Sequence, residues 1–207
     1  MVSSIPWRGT WQADDTVDIA TALDPGYVMS NNWSDQASQF NHGLNWLRSN
    51  GYDWAIICDA DEFYTQNSIR YLLKEIDECE YEALKAPHMF VYWRNDEYRI
   101  TPKQNDSPII AIRTDKRFVS KRHADVFFGY SEVDMHHFSY VRDDVEMLKK
   151  IQSFEHNNEF DIQNWYQNVW LKWTPDMENL HPVVPAQFKK AIHAPAPLPI
   201  TGLWYAA

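Results

Sequence analysis

Paired cysteine is the first thing missing. The 207-residue chain has two cysteines, Cys58 and Cys79, with no Cys-x-x-Cys and no Cys/His spacing that fits a structural zinc site. A disulfide or zinc scaffold is therefore not expected, and a reducing compartment fits. Long apolar runs are missing too. No stretch approaches 18 apolar residues, so no membrane span is expected. The opening "MVSSIPWRG" has no apolar leader core, and the expected location is cytoplasmic. Positive charge is also short: 19 Lys and Arg against 29 Asp and Glu give a net charge of −10. That argues against a general nucleic-acid binder, which needs a basic face. It leaves room for a small anionic ligand, because a bound divalent cation inverts the local sign. Neither a fixed-period repeat nor a low-complexity tract is present.

What the chain does have is ring systems. Aromatics make up 15%, with 10 Trp and 11 Tyr, inside a hydrophobic fraction of 44% that is ample for a core. Some of these rings belong to the core, and others could stack on flat apolar ligand faces such as sugars or bases. The length suits one domain over residues 1–180 and a proline-rich tail over 181–207 packed on it.

Hydrophobic periodicity divides the chain. Residues 2–5 read as a strand, 16–23 as a short helix and 26–30 as a second strand. From Ser34 a longer helix carries Ala37, Phe40, Leu44 and Leu47 on one face and stops at Gly51. Residues 53–58, "DWAIIC", read as a strand buried on both faces, with Cys58 as a small buried hydrophobe. Residues 68–79 are helical. This alternation predicts a parallel sheet wrapped by helices. Strands are then expected within 81–93 and over 97–102, 107–114 and 116–120, with helices over 145–154 and 161–173. In the last helix, Trp165, Val169 and Trp173 repeat every four residues, as do Ile162, Tyr166 and Trp170. That stripe reads as core before ligand platform.

The strand "DWAIIC" runs straight into Asp59, Asp61 and Glu62. Three adjacent carboxylates repel one another and need a counter-charge. Ligands of open α/β sheets bind beyond strand carboxyl ends. In an extended chain Asp59 and Asp61 would point the same way, with small Ala60 leaving a gap between them. Two hard oxygen donors suit Mg²⁺ or Mn²⁺. The bland alternative is a solvated turn with acids at a helix start. An EF-hand loop fits worse, because its sixth and twelfth positions from Asp59 are Tyr64 and Arg70.

The run "WSDQASQFNHGLNWLRSNGYDWAIICDADEFYT" resembles the metal-binding half of GT-A-fold nucleotide-sugar glycosyltransferases, close to the family 2 type. "MHHFSYVR" followed by "EMLKKIQSFEHNNEF" is similar to that family's distal metal-ligand segment and following helix. The resemblance covers roughly residues 2–180. It implies a small GT-A-like (Rossmann-like) mixed α/β sheet with flanking helices, C-terminal helices and the proline-rich tail. It also implies a UDP-sugar donor held through Mn²⁺ or Mg²⁺ and a carbohydrate or glycoconjugate acceptor. Asp61 becomes the main metal ligand, Asp59 a metal or ribose contact, and His137 the distal ligand with His136 as its alternative. Gln39 and Asn41 fall on the family's helix before the acidic run. Met1–Ile5 aligns better with the family's second strand than its first, which leaves base recognition to other residues. Trp7 would stack and Arg8 would meet phosphate, although ordinary packing explains Trp7 equally well.

Sugar transfer also needs charge around the leaving diphosphate and, in an inverting enzyme, a base. Arg117, Lys121 and Arg122 are candidates for the first, against a slightly stronger reading as a solvated basic turn. Asp134 leads for the second, ahead of Asp125 and His156, while Glu62 is a base or, better, an orienting group. The other histidines read as surface or packed residues. Two competing classes remain. A two-metal phosphoester hydrolase or nucleotidyltransferase would want a second carboxylate cluster, for which "RDDVE" at 142–146 is a poor match. A non-catalytic carbohydrate-binding module would use the Trp residues and need no acidic clamp.

Overall fold

A computed structural model describes residues 2–3, 30–31, 33–104, 108–153 and 156–197. The architecture is mixed α/β, as expected, and the chain divides into two compact units. The helix expected over 16–23, most of the strand over 26–30, and the site candidates Trp7 and Arg8 lie outside the described residues.

The first unit holds Met1–Ile57, Glu80–Leu84 and Pro108–Gly129. Strands β1 (Val2–Ser3) and β2 (Ser30–Asn31) pair in parallel. Helix α1 runs Gln36–Ser49, capped by Asp35, whose side chain accepts from the Ser38 N–H at 2.7 Å. It ends at Gly51, whose φ of 83° is the left-handed value a glycine stop supplies. Its stripe of Ala37, Phe40 and Leu44 packs on Ala55, Ile57, Ile109, Ile112 and Phe118.

Strand β3 (Trp54–Ile56) is only three residues long and pairs antiparallel with β8 (Ile109–Arg113). Two expectations fail here. The run is not buried on both faces: Ala55 and Ile57 go inward, while Ile56 is 37% exposed. Cys58, past the strand end, is exposed rather than buried. Residues 116–120 are not a strand either. The Phe118 N–H and C=O are both taken by the side-chain amide of Asn41, at 2.8 and 2.9 Å, which leaves no ladder for them to join. Strands β5 (Ala83–Lys85) and β9 (Phe128–Tyr130) complete a four-stranded sheet of order β3-β8-β5-β9.

The second unit carries the acidic run and most of the C-terminal half. Its sheet joins β4 (Glu62–Phe63), β6 (Met89–Trp93), β7 (Tyr98–Thr101), β10 (Met135–Tyr140) and β11 (Lys190–His193) in the order β11-β7-β6-β10-β4. β10 runs parallel to β6 and antiparallel to β4. Helix α2 (Gln66–Glu78) starts at Thr65, whose hydroxyl accepts from the Ser68 N–H at 3.0 Å. Helix α3 (Asp144–Ser153) buries Met147 and Ile151. Helix α4 (Ile162–Trp165) passes into a π-helical turn over Tyr166–Trp170, closed by the Leu171 N–H on the Tyr166 carbonyl at 2.9 Å.

The aromatic stripe of that last segment is core, as its spacing predicts. Trp165, Tyr166 and Trp170 are buried with Trp93, Tyr140, Met147 and Ile151, and Leu180, Phe188 and Ala191 join them from the proline-rich end. Two side chains pin the π turn to the head of α3. The Trp170 Nε1–H donates to Asp144 Oδ1 at 2.9 Å, and the Tyr166 hydroxyl donates to the Asp144 carbonyl at 2.9 Å. Arg94 lies over the Trp170 ring and donates to the same Asp144 oxygen at 2.7 Å. Among the described residues no helix is long and apolar enough to cross a membrane.

Candidate functional site

The acidic run is a turn, not an extended strand end. Ala60 and Asp61 occupy the turn, and the Glu62 N–H donates to the Asp59 carbonyl at 3.0 Å. The side chain of Glu62 folds back and accepts from the Asp59 N–H at 3.1 Å. The two-residue alternation expected for Asp59 and Asp61 therefore does not apply, and Glu62 orients the turn. Right after it, β4 docks on β10 with Glu62 opposite His137 and Phe63 opposite His136. The Phe138 N–H donates to the Asp61 carbonyl at 2.7 Å, fixing the turn against the strand.

That pairing brings Asp61 Oδ2 to 3.4 Å from His137 Nε2. Burial pushes the Asp61 carboxyl up. The hydrogen bond and charge of His137, with Lys150 and Arg142 nearby, outweigh burial and bring the pKa down to about 2. Asp61 is thus ionised at any ordinary pH. The other nitrogen of His137, Nδ1, is buried without a hydrogen-bond partner among the described residues.

Two cationic side chains stand behind this pair that the sequence reading did not single out. Lys150 Nζ donates to the Ser139 hydroxyl at 2.7 Å, and Arg142 Nε donates to the Ser139 carbonyl at 3.1 Å. Ser139 lies two residues beyond His137 on β10. Burial and Arg142 pull the Lys150 ammonium down to about 8 against the opposing effect of Asp61. One signal for Lys150 was available: it falls between Met147 and Ile151, at a position of the buried stripe of α3 where a lysine is out of place.

The remaining candidates separate cleanly. His136, next to His137, is turned to the aromatic side: its Nδ1 is 3.0 Å from the Tyr92 hydroxyl and its ring packs on Tyr92 and Phe90. Asp134 shares that side by strand alternation, and its Oδ1 is 2.9 Å from His88 Nδ1. Asn41, in the first unit, has its amide engaged by Phe118, and Gln39 is half-buried on the same helix. Arg122 donates to the carbonyls of Ile109 and Ile57, a backbone clamp within the first unit. Arg117 and Asp125 are exposed, Lys121 sits in a tight turn, and His156 pairs with Glu159. In "RDDVE", Asp143 caps α3 through the Glu146 N–H and Asp144 holds Arg94 and Trp170.

Among the described residues no three His, Cys, Asp or Glu side chains converge as a metal group. Asp61 and His137 do meet, and their separation suits one cation. Neighbouring ligands at Mg²⁺-like bond lengths lie about 3 Å apart, and such cations commonly take one or two protein ligands plus phosphate oxygens and water. A carboxylate ionised at neutral pH beside an imidazole nitrogen is the donor chemistry Mn²⁺ accepts.

A profile of the family described as "Glycosyl transferase family 2" matches residues 12–146, more than half of the chain and inclusive of the turn at Asp61, His137 and Arg142. No curated protein is similar enough to the chain to match it.

Proposed function

The chain belongs to glycosyltransferase family 2, and from that premise we propose that it moves a hexosyl group from a UDP-sugar to a carbohydrate or glycoconjugate acceptor with the help of Mn²⁺ or Mg²⁺. The observation that supports this best is the meeting of Asp61 and His137 across β4 and β10 at 3.4 Å, with the carboxyl held near 2. Asp61 and His137 would hold the cation, with Asp59 as a further contact to metal or ribose. When bound, the cation acts as a Lewis acid on the diphosphate.

The protein's own share is charge and position. Lys150 and Arg142, tethered to Ser139, bring positive charge to the Asp61 side of β10, where the departing diphosphate would gather negative charge. Glu62 holds the turn in shape through the Asp59 N–H. Asp134 lies on the opposite side of β10 from His137 and is engaged by His88, so we do not assign it as the acceptor's base. A two-metal hydrolase is less well supported, because the two aspartates of "RDDVE" serve the head of α3 and Glu146 pairs with Lys149.

Thermal shift with nucleoside diphosphates and nucleotide-sugars, with and without Mn²⁺, tests the reading. A ligand at a hundredfold over its Kd stabilises by about 2.7 kcal/mol. UDP with Mn²⁺ is expected to give the largest rise in Tm, and Asp61→Ala to remove it. No rise with any nucleotide would sink the donor assignment.

A further inference from the structure

A cleft of about 340 Å³ opens in the second unit beside Asp134 and His136, lined also by Thr65, Ser68, Tyr71 and Glu132. That is within the size range of small-ligand sites, which begins near about 300 Å³. Strand alternation puts His136 on the side of β10 away from His137, so this cleft is not the Asp61–His137 site.

Its polar groups are fixed from behind. Lys103 Nζ lies 2.5 Å from His88 Nε2, and an ammonium can only donate, so the His88 proton sits on Nδ1 and is given to Asp134 Oδ1 at 2.9 Å. Asp134 keeps Oδ2 as an acceptor for the cleft. The Tyr92 hydroxyl, 3.0 Å from His136 Nδ1, holds that ring in place by a hydrogen bond. A held carboxylate oxygen thus stands beside a held imidazole, with the Thr65 and Ser68 hydroxyls nearby. Tyr71 adds to the cleft an aromatic ring that is 63% exposed and so open to a ligand face.

A carboxylate oxygen beside an imidazole suits a vicinal diol, whose hydroxyls both donate and accept, and an exposed ring is the complement of a pyranose face. Glu132 and Asp134 on the wall disfavour phosphate or any other anion. We propose that this cleft binds a neutral sugar unit at a site separate from Asp61 and His137. The assignment stands on the cleft's own lining and goes beyond the sugar-transfer reading.

Calorimetric titration in EDTA tests it. The probes are neutral gluco-, galacto- and manno-configured methyl glycosides and their short oligosaccharides, with spermidine and inorganic phosphate as non-sugar controls. At least one neutral sugar is expected to bind saturably without metal. Tyr71→Ala, a change at an exposed position, should weaken it at least tenfold; Asp134→Asn should weaken it too, and Asp61→Ala should leave it unchanged. Absence of saturable binding by every sugar, preference for spermidine or phosphate, or loss in Asp61→Ala but not in Tyr71→Ala would each overturn the proposal. The UDP–Mn²⁺ thermal shift should survive Tyr71→Ala, so the two readings can fail independently.

Discussion

Asp61 and Lys150 meet the same burial with different results, and pH separates them. For Asp61 the surrounding cations win, and its pKa falls from 3.8 to about 2. A depressed carboxyl contributes stability that is present above the unfolded value and lost as pH falls toward the folded one. The window is therefore pH 3.8 down to about 2, and the contribution is about 2 kcal/mol. Urea midpoints across that window should fall more steeply for the wild type than for Asp61→Asn. For Lys150 burial wins, from 10.5 down to about 8. The folded protein gives up this proton before the unfolded chain does, so stability rises as pH climbs from about 8 toward 10.5. That rise should vanish in Lys150→Met. Affinity for UDP or pyrophosphate, measured by calorimetry, should decline through pH 8 in the wild type, since only the ammonium pairs with phosphate.

At the scale of elements, helices were legible and their partners were not. The stripe of Ala37, Phe40 and Leu44 and the stop at Gly51 placed α1 because each is a local signal. The strand expected over 116–120 failed because its fate is decided 77 residues away, by the Asn41 amide that occupies both polar groups of Phe118. No window of sequence contains that information. Asn41→Ala leaves a backbone donor and acceptor buried without partners and should cost about 2–3 kcal/mol, read as a lower denaturant midpoint at unchanged m. The site divides along the same line. Asp61 and His137 could be named from their motifs, whereas Lys150 offered only its place on the buried stripe of α3, and its meeting with Arg142 at Ser139 is a contact that no local signal carries. β11 gave no signal because its four residues sit among prolines and acquire their pairing from β7.

For the molecule as a whole, the mixed α/β class followed from alternating elements, but the division into two cores did not, since each core gathers segments far apart in the chain. Ile109, Ile110, Ala111 and Ile112 are each fully buried, as are Trp93 and Trp170 in the other unit. Among the described residues, hydrogen exchange should therefore be slowest in β8 and in β6 with β10. The π turn bears on a different quantity, chain length. It holds one more residue per turn than an α-helix, and Tyr166 and Trp170 at its two ends both reach Asp144. Removing the exposed Gln167 would let the turn rewind as α-helix, and the segment beyond would keep nearly its orientation, because five residues of a π turn and four of an α turn each close about one revolution. Here the chain can lose a residue without turning its core face away.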